Sequence, residues 1–271
     1  MTERRFDVWA AGDAYERYMG RWSRLVADAF VAWLPCPPHA RWLDIGCGSG
    51  ALTSTVAVRC RPRTLLGLDG SAGFVPTARA STPEPARFAV ADAQALPVRD
   101  AVFDVAVSGL VLNFLATPGV ALAEATRAVR PGGLVAAYVW DYAEGMEFLR
   151  HFWSAATTVD PSAAAHDESR RFPLCGPTAL RDLWDKAGLT RVTVAPIDIT
   201  TLFPHFDDLW SPFLSGQGPA PGYVATLSPA TRERLRQTLR DRVPAGADGT
   251  IALKARAWAV RGASRITDSP R

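Results

Sequence analysis

Short apolar runs alternate with helical patterns from residue 41 onward. Five runs are short enough for β-strands, and several are apolar at consecutive positions, which is typical of strands buried on both faces of a sheet. These runs are 41–45, 64–68, 87–91, 103–108 and 134–140. The intervening segments 51–60 and 117–129 carry apolar side chains on one helical face. This order predicts right-handed βαβ units that build a parallel sheet.

The pattern changes after residue 140. Residues 141–187 are predicted to be mainly helical, and strands are predicted at 192–199 and 251–260, the second with clear alternation of apolar side chains. Between these strands lie about fifty residues that include a predicted helix at 229–242. A connection of this length is usually functional, so it is a candidate lid or acceptor wall. The alternative is a surface elaboration without function.

The composition is that of a globular protein with a substantial core. Of the 271 residues, 48% are hydrophobic and 21% are charged, which excludes a disordered or collagen-like chain. The 30 basic and 27 acidic residues leave a net charge of only +3, and there is no basic run, so binding to nucleic acid is not expected. The sequence also contains no basic amphipathic helix that would indicate a membrane surface.

Targeting and metal-binding signals are equally sparse. Residues 1–20 lack an uninterrupted apolar stretch, and no segment approaches about eighteen apolar residues, so the protein is expected in the cytoplasm. The cysteines form no C-x-x-C pair and have no histidine at zinc-site spacing, which predicts reduced thiols and no metal. They are Cys36, Cys47, Cys60 and Cys175.

The clearest local signal is a glycine-rich turn between the first predicted strand and a helix. It reads Asp44-Ile45-Gly46-Cys47-Gly48-Ser49-Gly50. Glycines let the chain turn tightly and let a ligand lie against the backbone, while the amides of the helix N-terminus point into the gap. Dinucleotide-binding sheets use the spacing G-x-G-x-x-G, whereas here the third glycine comes one residue early. The carboxylate of Asp44 would repel a pyrophosphate but suits a ligand that carries an ammonium group.

Two further acidic residues stand at strand ends. Asp69 follows the second strand, nineteen residues beyond Gly50, where a carboxylate can accept hydrogen bonds from both hydroxyls of a ribose. Asp92 follows the third strand and can accept from the exocyclic amine of adenine, with Ala93 offering a backbone amide; the alternative for Asp92 is a helix N-cap. In an open α/β sheet such strand ends line one crevice, so the three carboxylates predict a nucleoside site.

At these motifs the sequence resembles the class I S-adenosylmethionine-dependent methyltransferases, especially the UbiE-like branch. The resemblance rests on WLDIGCGSG (42–50), LLGLDGS (65–71), VADAQALP (90–97), FDVAVSGLVLNFL (103–115) and AVRPGGLVAAYVW (128–140). It implies a Rossmann-like α/β fold with a mainly parallel seven-stranded sheet and helices on both faces. It also implies S-adenosylmethionine as cofactor and S-adenosylhomocysteine as product. Other segments resemble a bacterial subgroup whose acceptor is not known.

The residues that match the family's motifs are expected to bind this cofactor. Those at the methionine moiety are Asp44, Gly46 and Gly48, with Cys47 between them. Those at the ribose and adenine are Asp69, Gly70, Asp92 and Ala93, and those beside the sulfonium are Ser108 and Gly109. Tyr18 and Arg21 are expected to fold over the cofactor, where an arginine can pair with its carboxylate. The alternative for these two is an ordinary amphipathic helix.

The acceptor side is predicted from aromatic and titratable residues. Methyl transfer needs mainly orientation, because the sulfonium already activates the methyl group. Aromatic faces can hold a flat acceptor and attract the sulfonium, and the candidates are Trp140, Tyr142, Trp210 and Phe213; the alternative is core packing. Candidate general bases are Asp141, His151 and His205, and the alternative for the histidines is a structural role.

The sequence thus predicts a helical N-terminal flap at 1–40, a methyltransferase domain at 41–262 and a flexible tail at 263–271, with acceptor-side segments at 141–187 and 200–249. The predicted reaction is in-line methyl transfer to a small aromatic or apolar metabolite by a monomer or homodimer. One alternative is a catalytically silent S-adenosylmethionine-binding interaction or regulatory protein, because a fold does not fix a function. Another is a nicotinamide-dependent oxidoreductase, which the early third glycine disfavours.

Overall fold

The computed structural model describes residues 19–214 and 218–266. The chain divides into two compact units. Of the described residues, the first unit, the sheet unit, comprises Ser23–Val139, Leu174–Ile197 and 257–266. The second, the helix-rich unit, comprises 19–22, Trp140–Pro173 and the described part of Asp198–Arg256.

A seven-stranded sheet organises the fold, as predicted. The strands are β1 (Arg41–Ile45), β2 (Thr64–Asp69), β3 (Ala86–Val90), β4 (Phe103–Gly109), β5 (Val129–Trp140), β6 (Thr190–Phe203) and β7 (Ile251–Ala263). Their order is β3-β2-β1-β4-β5-β7-β6. The four pairings among β1 to β5 are parallel. The strand order reverses between β1 and β4, and in open α/β sheets ligands bind outside the carboxyl ends of the strands at such a point.

Helices and short 3₁₀ turns connect the strands. In chain order, the helices are α1 (Arg21–Trp33), α2 (Ala51–Cys60), α3 (Val75–Ser81), α4 (Pro118–Ala128), α5 (Glu147–Val159), α6 (Glu168–Arg171), α7 (Pro177–Lys186), α8 (Phe206–Trp210), α9 (Pro219–Thr226) and α10 (Pro229–Arg240). The 3₁₀ turns are Leu112–Phe114, Pro161–His166 and Ser211–Leu214. Among the described residues, no helix is long and apolar enough to cross a membrane.

The central strands form the core of the sheet unit. Trp42 and Leu43 of β1 and Val105 and Val107 of β4 are at most 1% exposed. Their consecutive apolar positions are explained by burial on both faces of the sheet. β3 differs, since Phe88 is the one buried residue of its five. This is the exposure expected of a strand at the edge of the sheet order.

The first crossover places a helix directly after the glycine-rich turn. α2 begins at Ala51 and ends at Cys60, where Arg61 takes a left-handed conformation with φ 44°. Helical spacing brings its apolar side chains and one threonine to one face, which is buried. These residues are Leu52, Thr53, Val56, Ala57 and Cys60. The turn at 46–50 is therefore held between a buried strand and a buried helix face.

β5 begins earlier than its apolar pattern predicts. The strand starts at Val129 rather than at residue 134, although Arg-Pro-Gly-Gly at 130–133 is a helix-stop signal. α4 does end at Ala128, but Val129 then pairs with Phe103 of β4 across a register shift. Ser264 and Gly133 are joined by a backbone hydrogen bond of 2.8 Å, so ordered pairing extends past the predicted domain boundary at 262.

Candidate functional site

The glycine-rich turn leaves open space beside its backbone. Gly46 has φ +75°, and a Cβ atom there would lie 2.4 Å from Cγ2 of Val111, so this position excludes a side chain. Gly48 has φ +52°, and an added Cβ atom would meet no described atom within 4 Å. Both values lie in the left-handed region that glycine adopts without penalty. A ligand can therefore approach the peptide at Gly48, whereas at Gly46 the glycine is needed for packing.

Asp69 fixes this turn to the end of β2. One carboxylate oxygen accepts from the Gly48 amide at 2.8 Å, and the other accepts from the Ser71 amide at 2.8 Å. The Leu68 carbonyl accepts from the Gly46 amide at 2.7 Å and from the Cys47 amide at 3.0 Å. Because a carboxylate offers about four acceptor positions, Asp69 can accept further bonds from a ligand hydroxyl.

Asp44 is a buried carboxyl group with an unused oxygen. Its residue is 0% exposed, and the Thr53 hydroxyl donates to Oδ2 at 2.6 Å. Oδ1 has no hydrogen-bond donor among the described residues. Burial raises the pKa of Asp44 to about 7, and the nearby charge of Asp69 adds to this, although the Thr53 hydrogen bond opposes it. A cationic group from a ligand would supply both the missing donor and a counter-charge.

Asp92 lies after the neighbouring strand β3 and is exposed. Its Oδ1 accepts from the Gln94 amide at 2.8 Å, and a turn follows rather than a helix. The helix-cap alternative is therefore wrong for this residue. A side-chain oxygen that bonds the backbone two residues on is typical of an Asx turn, which leaves the other carboxylate oxygen available to a ligand.

Small residues line the end of β4. The Ser108 hydroxyl is buried and donates to the Ile45 carbonyl at 2.8 Å, so it links β4 to β1. Gly109 ends the strand and pairs with Tyr138 of β5. Since the strands are parallel, their carboxyl ends share one edge of the sheet unit with the three carboxylates. The unused oxygen of Asp44, the open space at Gly48 and the remaining acceptor capacity of Asp69 fit a ligand that carries an ammonium group and a ribose.

A comparison with known protein families identifies this region. Residues 43–137 match a family model described as a methyltransferase domain. The matched span runs from β1 into β5 and contains the turn and all three carboxylates. The chain carries a class I S-adenosylmethionine-dependent methyltransferase domain. Solved structures of similar fold contain S-adenosylhomocysteine and S-adenosyl-L-methionine.

Curated relatives agree with this family. Trans-aconitate 2-methyltransferase of Deinococcus radiodurans is 28% identical over 241 residues, which cover 86% of this chain and 89% of that protein. The biotin biosynthesis bifunctional protein of Bordetella avium is 35% identical over 49% of this chain and 29% of its own length. A malonyl-[acyl-carrier protein] O-methyltransferase of Geobacter sulfurreducens is 39% identical over 36% of this chain and 37% of its own length. The chain thus spans less than two thirds of the last two relatives.

Solved structures confirm the predicted Rossmann-like fold. Phosphoethanolamine N-methyltransferase 2 of Haemonchus contortus, in complex with S-adenosylhomocysteine, has a TM-score of 0.57 at 17% identity over 94% of this chain and 57% of that chain. The [4+2]-cyclase SpnF has a TM-score of 0.52 at 17% identity over 91% of this chain and 82% of its own. At these identities the likeness concerns the fold alone. The UbiE-like branch stays a prediction.

The predicted bases lie in the helix-rich unit in three different settings. Asp141 is buried after β5 and accepts from the Glu144 amide at 3.2 Å. His151 is half-buried on α5, and burial lowers its pKa. His205 is exposed, and its Nδ1 accepts from the Asp208 amide at 3.2 Å, which caps α8. His205 therefore has a structural role as the cap of α8. Catalytic roles for Asp141, His151 and His205 stay predictions.

The predicted acceptor-binding aromatic residues are all buried. Trp140, Tyr142, Trp210 and Phe213 are at most 6% exposed. Phe213 stacks on Phe152 of α5 with ring centroids 4.3 Å apart. The ring centroids of Trp210 and Phe213 are 6.1 Å apart, and those of Tyr142 and Phe172 are 5.6 Å apart. Most of the surface of these side chains is therefore buried by packing within the protein. Core packing is the alternative to an acceptor-binding role.

The two residues predicted to fold over the cofactor are described unequally. Tyr18 lies outside the described residues. Arg21 forms an ion pair of 2.8 Å with Asp208, and its guanidinium lies 4.3 Å from the ring centroid of Trp22 and 4.9 Å from that of Phe203. These contacts anchor Arg21 within the helix-rich unit. A role at the cofactor carboxylate stays a prediction for both.

Sequence patterns gave no indication of two buried polar contacts. The sequence does not indicate that Thr53 donates the hydrogen bond that orients Asp44. The one feature that could have suggested it is a hydroxyl group in the first turn of the helix after the glycines. Glu168 is 2% exposed and accepts from the Trp153 indole, and burial raises its pKa to about 7. It lies in the charged run 167–171, which is typical of a solvated surface, so the sequence concealed its burial.

The described part of the chain contains no recognisable set of metal ligands. Within residues 19–214 and 218–266, no group of three or more His, Cys, Asp or Glu side chains is arranged to hold a metal ion.

Proposed function

We propose that the protein transfers the methyl group of S-adenosylmethionine to a small molecule. The observation that carries this proposal is the buried Asp44 carboxyl group at the end of β1, whose Oδ1 lacks a donor among the described residues. A primary ammonium is the chemical partner that such an oxygen lacks. The methionine moiety of the cofactor carries that group, so Asp44 would determine how this end of the cofactor is bound.

The remaining cofactor contacts follow the edge of the sheet. Gly46, Cys47 and Gly48 would offer peptide backbone to the methionine moiety, while Asp69 and Gly70 would lie at the ribose. Asp92 would accept from the adenine amine and Ala93 would donate its amide, and Ser108 with Gly109 would lie beside the sulfonium. The half-buried or buried positions of Asp69, Ser108 and Gly109 support this order.

The protein would contribute to the reaction mainly by positioning the acceptor relative to the methyl group. When bound, the cofactor supplies an activated methyl group on a positively charged sulfur. The protein's residues would hold the acceptor atom in line behind that methyl group, exclude water and, where the acceptor carries a proton, accept it. Asp141, His151 and His205 are the proposed candidates for the proton acceptor.

For the acceptor, we propose a small aromatic or apolar metabolite, bound with help from Trp140, Tyr142, Trp210 and Phe213. The concentration of aromatic side chains in the helix-rich unit supports this choice. A second class is a carboxylic acid, because two of the curated relatives are named for trans-aconitate and for a malonyl group. An aromatic carboxylic acid would satisfy both.

Binding and turnover are tested separately. Calorimetric titration with S-adenosylmethionine and S-adenosylhomocysteine should give saturable binding that Asp69→Ala abolishes and Asp69→Asn weakens. Absence of binding to the wild-type protein would refute the proposal. Binding without any methylated product would instead favour the catalytically silent interaction or regulatory protein.

Turnover is tested with a donor that carries a deuterated methyl group. The protein is incubated with this donor and a host extract, and products shifted by three deuterons are sought by mass spectrometry. Mild base then separates the acceptor classes, because it hydrolyses a methyl ester and leaves a methyl ether, amine or carbon-bound methyl intact. Label found in protein or RNA instead of a small molecule would contradict the proposed acceptor. We further infer a cytoplasmic protein that acts as a monomer or homodimer without nucleic acid or membrane.

A further inference from the structure

Two cysteines from different elements of the sheet unit lie in direct contact. Cys36 follows α1, and Cys60 is the last residue of α2. Their Sγ atoms are 2.7 Å apart, with the Cys60 thiol donating to the Cys36 sulfur, while the Cys36 thiol donates to the Val31 carbonyl at 3.5 Å. Both are free thiols. A disulfide bond measures about 2.05 Å, so a shift of well under 1 Å in the two sulfurs would bring them to bonding distance.

The helix that precedes Cys36, α1, and the helix that ends at Cys60, α2, are already joined near the cysteine pair. Asp28 of α1 and Arg59 of α2 form a bidentate ion pair with both distances at 2.5 Å. This pair is about half exposed, so it contributes little to stability on its own. It does hold the end of α2 in register with α1, one residue before Cys60. Cys36 lies three residues beyond the end of α1, so the contact between the two helices brings the segment that carries it close to the end of α2.

The two sulfurs differ in how accessible they are. Cys36 is half-buried and lines a groove of about 590 Å³, together with Pro35, Pro37 and Arg261. Cys60 is 4% exposed, and burial, together with the Cys36 hydrogen bond, raises the pKa of its thiol. A small oxidant entering the groove would reach Cys36 first. Cys60 is then the neighbouring thiol placed to react with the product.

We propose that Cys36 and Cys60 form a reversible disulfide site that responds to peroxide. In the first step the Cys36 sulfur attacks hydrogen peroxide, the O–O bond breaks, and a sulfenic acid and one water are formed. In the second step the Cys60 sulfur attacks the sulfenic sulfur, so that the S–S bond forms and the hydroxyl leaves as a second water. The two thiols lose two electrons and two protons in total, and peroxide is reduced to two waters. A dithiol reductant returns both thiols.

The disulfide would tie the end of α1 to the end of α2. It closes a loop of 25 residues that contains the whole of β1 and the glycine-rich turn. Such a link stabilises a protein mainly by restricting its unfolded chain, and more so for longer loops. Oxidation is therefore expected to raise the thermal midpoint by about 5–10 °C. This inference does not rest on the proposed methyl transfer.

The chain offers a direct chemical readout. The full-length protein is treated with hydrogen peroxide in slight excess, its remaining thiols are alkylated, and it is digested with trypsin. The expected product joins the peptide 25–41 to the peptide 60–63, and dithiothreitol separates them. Intact-mass measurement before alkylation should show a loss of two hydrogens. Peptides 42–59 and 172–181, which carry Cys47 and Cys175, should be recovered alkylated.

Three variants provide matched controls. Cys36→Ser should abolish both the linked peptides and the rise in thermal midpoint on oxidation, and Cys60→Ser should do the same. Cys175→Ser keeps the pair and should behave like the wild-type protein in both measurements. Because the peptide map of the wild-type protein needs no variant, the test holds even if Cys60→Ser folds poorly.

Several results would overturn the proposal. One is that peroxide leaves all four thiols free to react with the alkylating reagent. Another is that Cys36 gains two or three oxygen atoms without linkage to Cys60. A third is that the linked peptides contain Cys47 or Cys175 in place of either partner.

Discussion

Asp44 illustrates how a single residue can be destabilising for the fold and useful for binding. Its carboxyl group is completely buried, and Oδ2 accepts a hydrogen bond from the Thr53 hydroxyl, while Oδ1 has no donor among the described residues. Removing the ionised form from water is unfavourable, which is why the pKa rises to about 7. A ligand ammonium would reverse this balance by supplying opposite charge and a donor. The residue is therefore poised to ionise when the cofactor binds.

We predict that binding of S-adenosylmethionine weakens as the pH falls below 7. The raised pKa means that acid protonates Asp44 in the free protein, and only the ionised form attracts the ammonium. Between pH 7 and 5.5 the affinity should fall on the order of tenfold. Calorimetry over this range checks the slope, and Asp44→Asn should bind weakly with little dependence on pH. A wild-type affinity that stays constant over the range would contradict the assignment.

Thr53 supplies a second test of the same residue. Thr53→Val removes the hydrogen bond that lowers the pKa of Asp44, so the midpoint of the binding profile should move to higher pH. Loss of this donor from a buried acceptor should also destabilise the protein by about 1–3 kcal/mol. Thr53→Ser keeps the hydroxyl and should restore the wild-type profile. If the valine and serine variants gave the same profile, Thr53 would have no part in orienting Asp44.

Glu168 predicts how the stability of the protein itself depends on pH. Its pKa of about 7 in the folded protein lies above the ordinary glutamate pKa, so its contribution to stability is present at low pH and is lost as the pH rises through 7. From pH 5 to 8 this group should lower the free energy of unfolding by about 2 kcal/mol. Glu168→Gln keeps an acceptor for the Trp153 indole and should remove that part of the slope. Urea denaturation at both pH values measures it.

At the scale of elements, local patterns predicted those elements that are bounded by strong breakers. β1 and α2 have the predicted limits, because glycines end the strand and a left-handed residue ends the helix. β6 runs from Thr190 to Phe203, well beyond the predicted 192–199, and α10 ends at Arg240, two residues early. β5 gains its first residues from pairing with β4. Pairing partners distant in sequence set these limits, and a local window does not contain them.

The turn between β1 and α2 allows two glycines to be compared. Gly48→Ala should destabilise the protein only by the left-handed strain, about 1–2 kcal/mol, while weakening cofactor binding because its Cβ occupies the open space. Gly46→Ala adds a collision with Val111 and should destabilise the protein by about 1–3 kcal/mol more. Denaturation and calorimetry on both variants separate the effects. Unchanged cofactor affinity in Gly48→Ala would show that the ligand does not approach this peptide.

At the scale of the whole molecule, the sheet unit and the helix-rich unit differ in how far sequence explains them. The sheet unit contains the matched domain at 43–137 and the carboxylates whose spacing indicates a nucleoside site. In the helix-rich unit the predicted helices are present, but the predicted aromatic residues are buried and His205 caps a helix.

Ligand-induced stabilisation tests the cofactor on the intact protein. S-adenosylmethionine at about one hundred times its dissociation constant should stabilise the folded state by about 2.7 kcal/mol, which corresponds to a rise of about 5–10 °C in the thermal midpoint. Asp69→Ala should lose this shift. NADH should give none, and a shift with NADH but not with S-adenosylmethionine would instead favour the nicotinamide-dependent oxidoreductase.

The sequence by itself determined the parallel sheet, the glycine-rich turn and the order of carboxylates along the strand ends, because these depend on residues close together in the chain. Only the tertiary structure decided which groups are desolvated and which distant partners meet. Thr53 at Asp44, Cys36 at Cys60 and the burial of Glu168 are of this kind. Burial and hydrogen bonding depend on what packs around a side chain, and the neighbours that decide them are brought together only by folding.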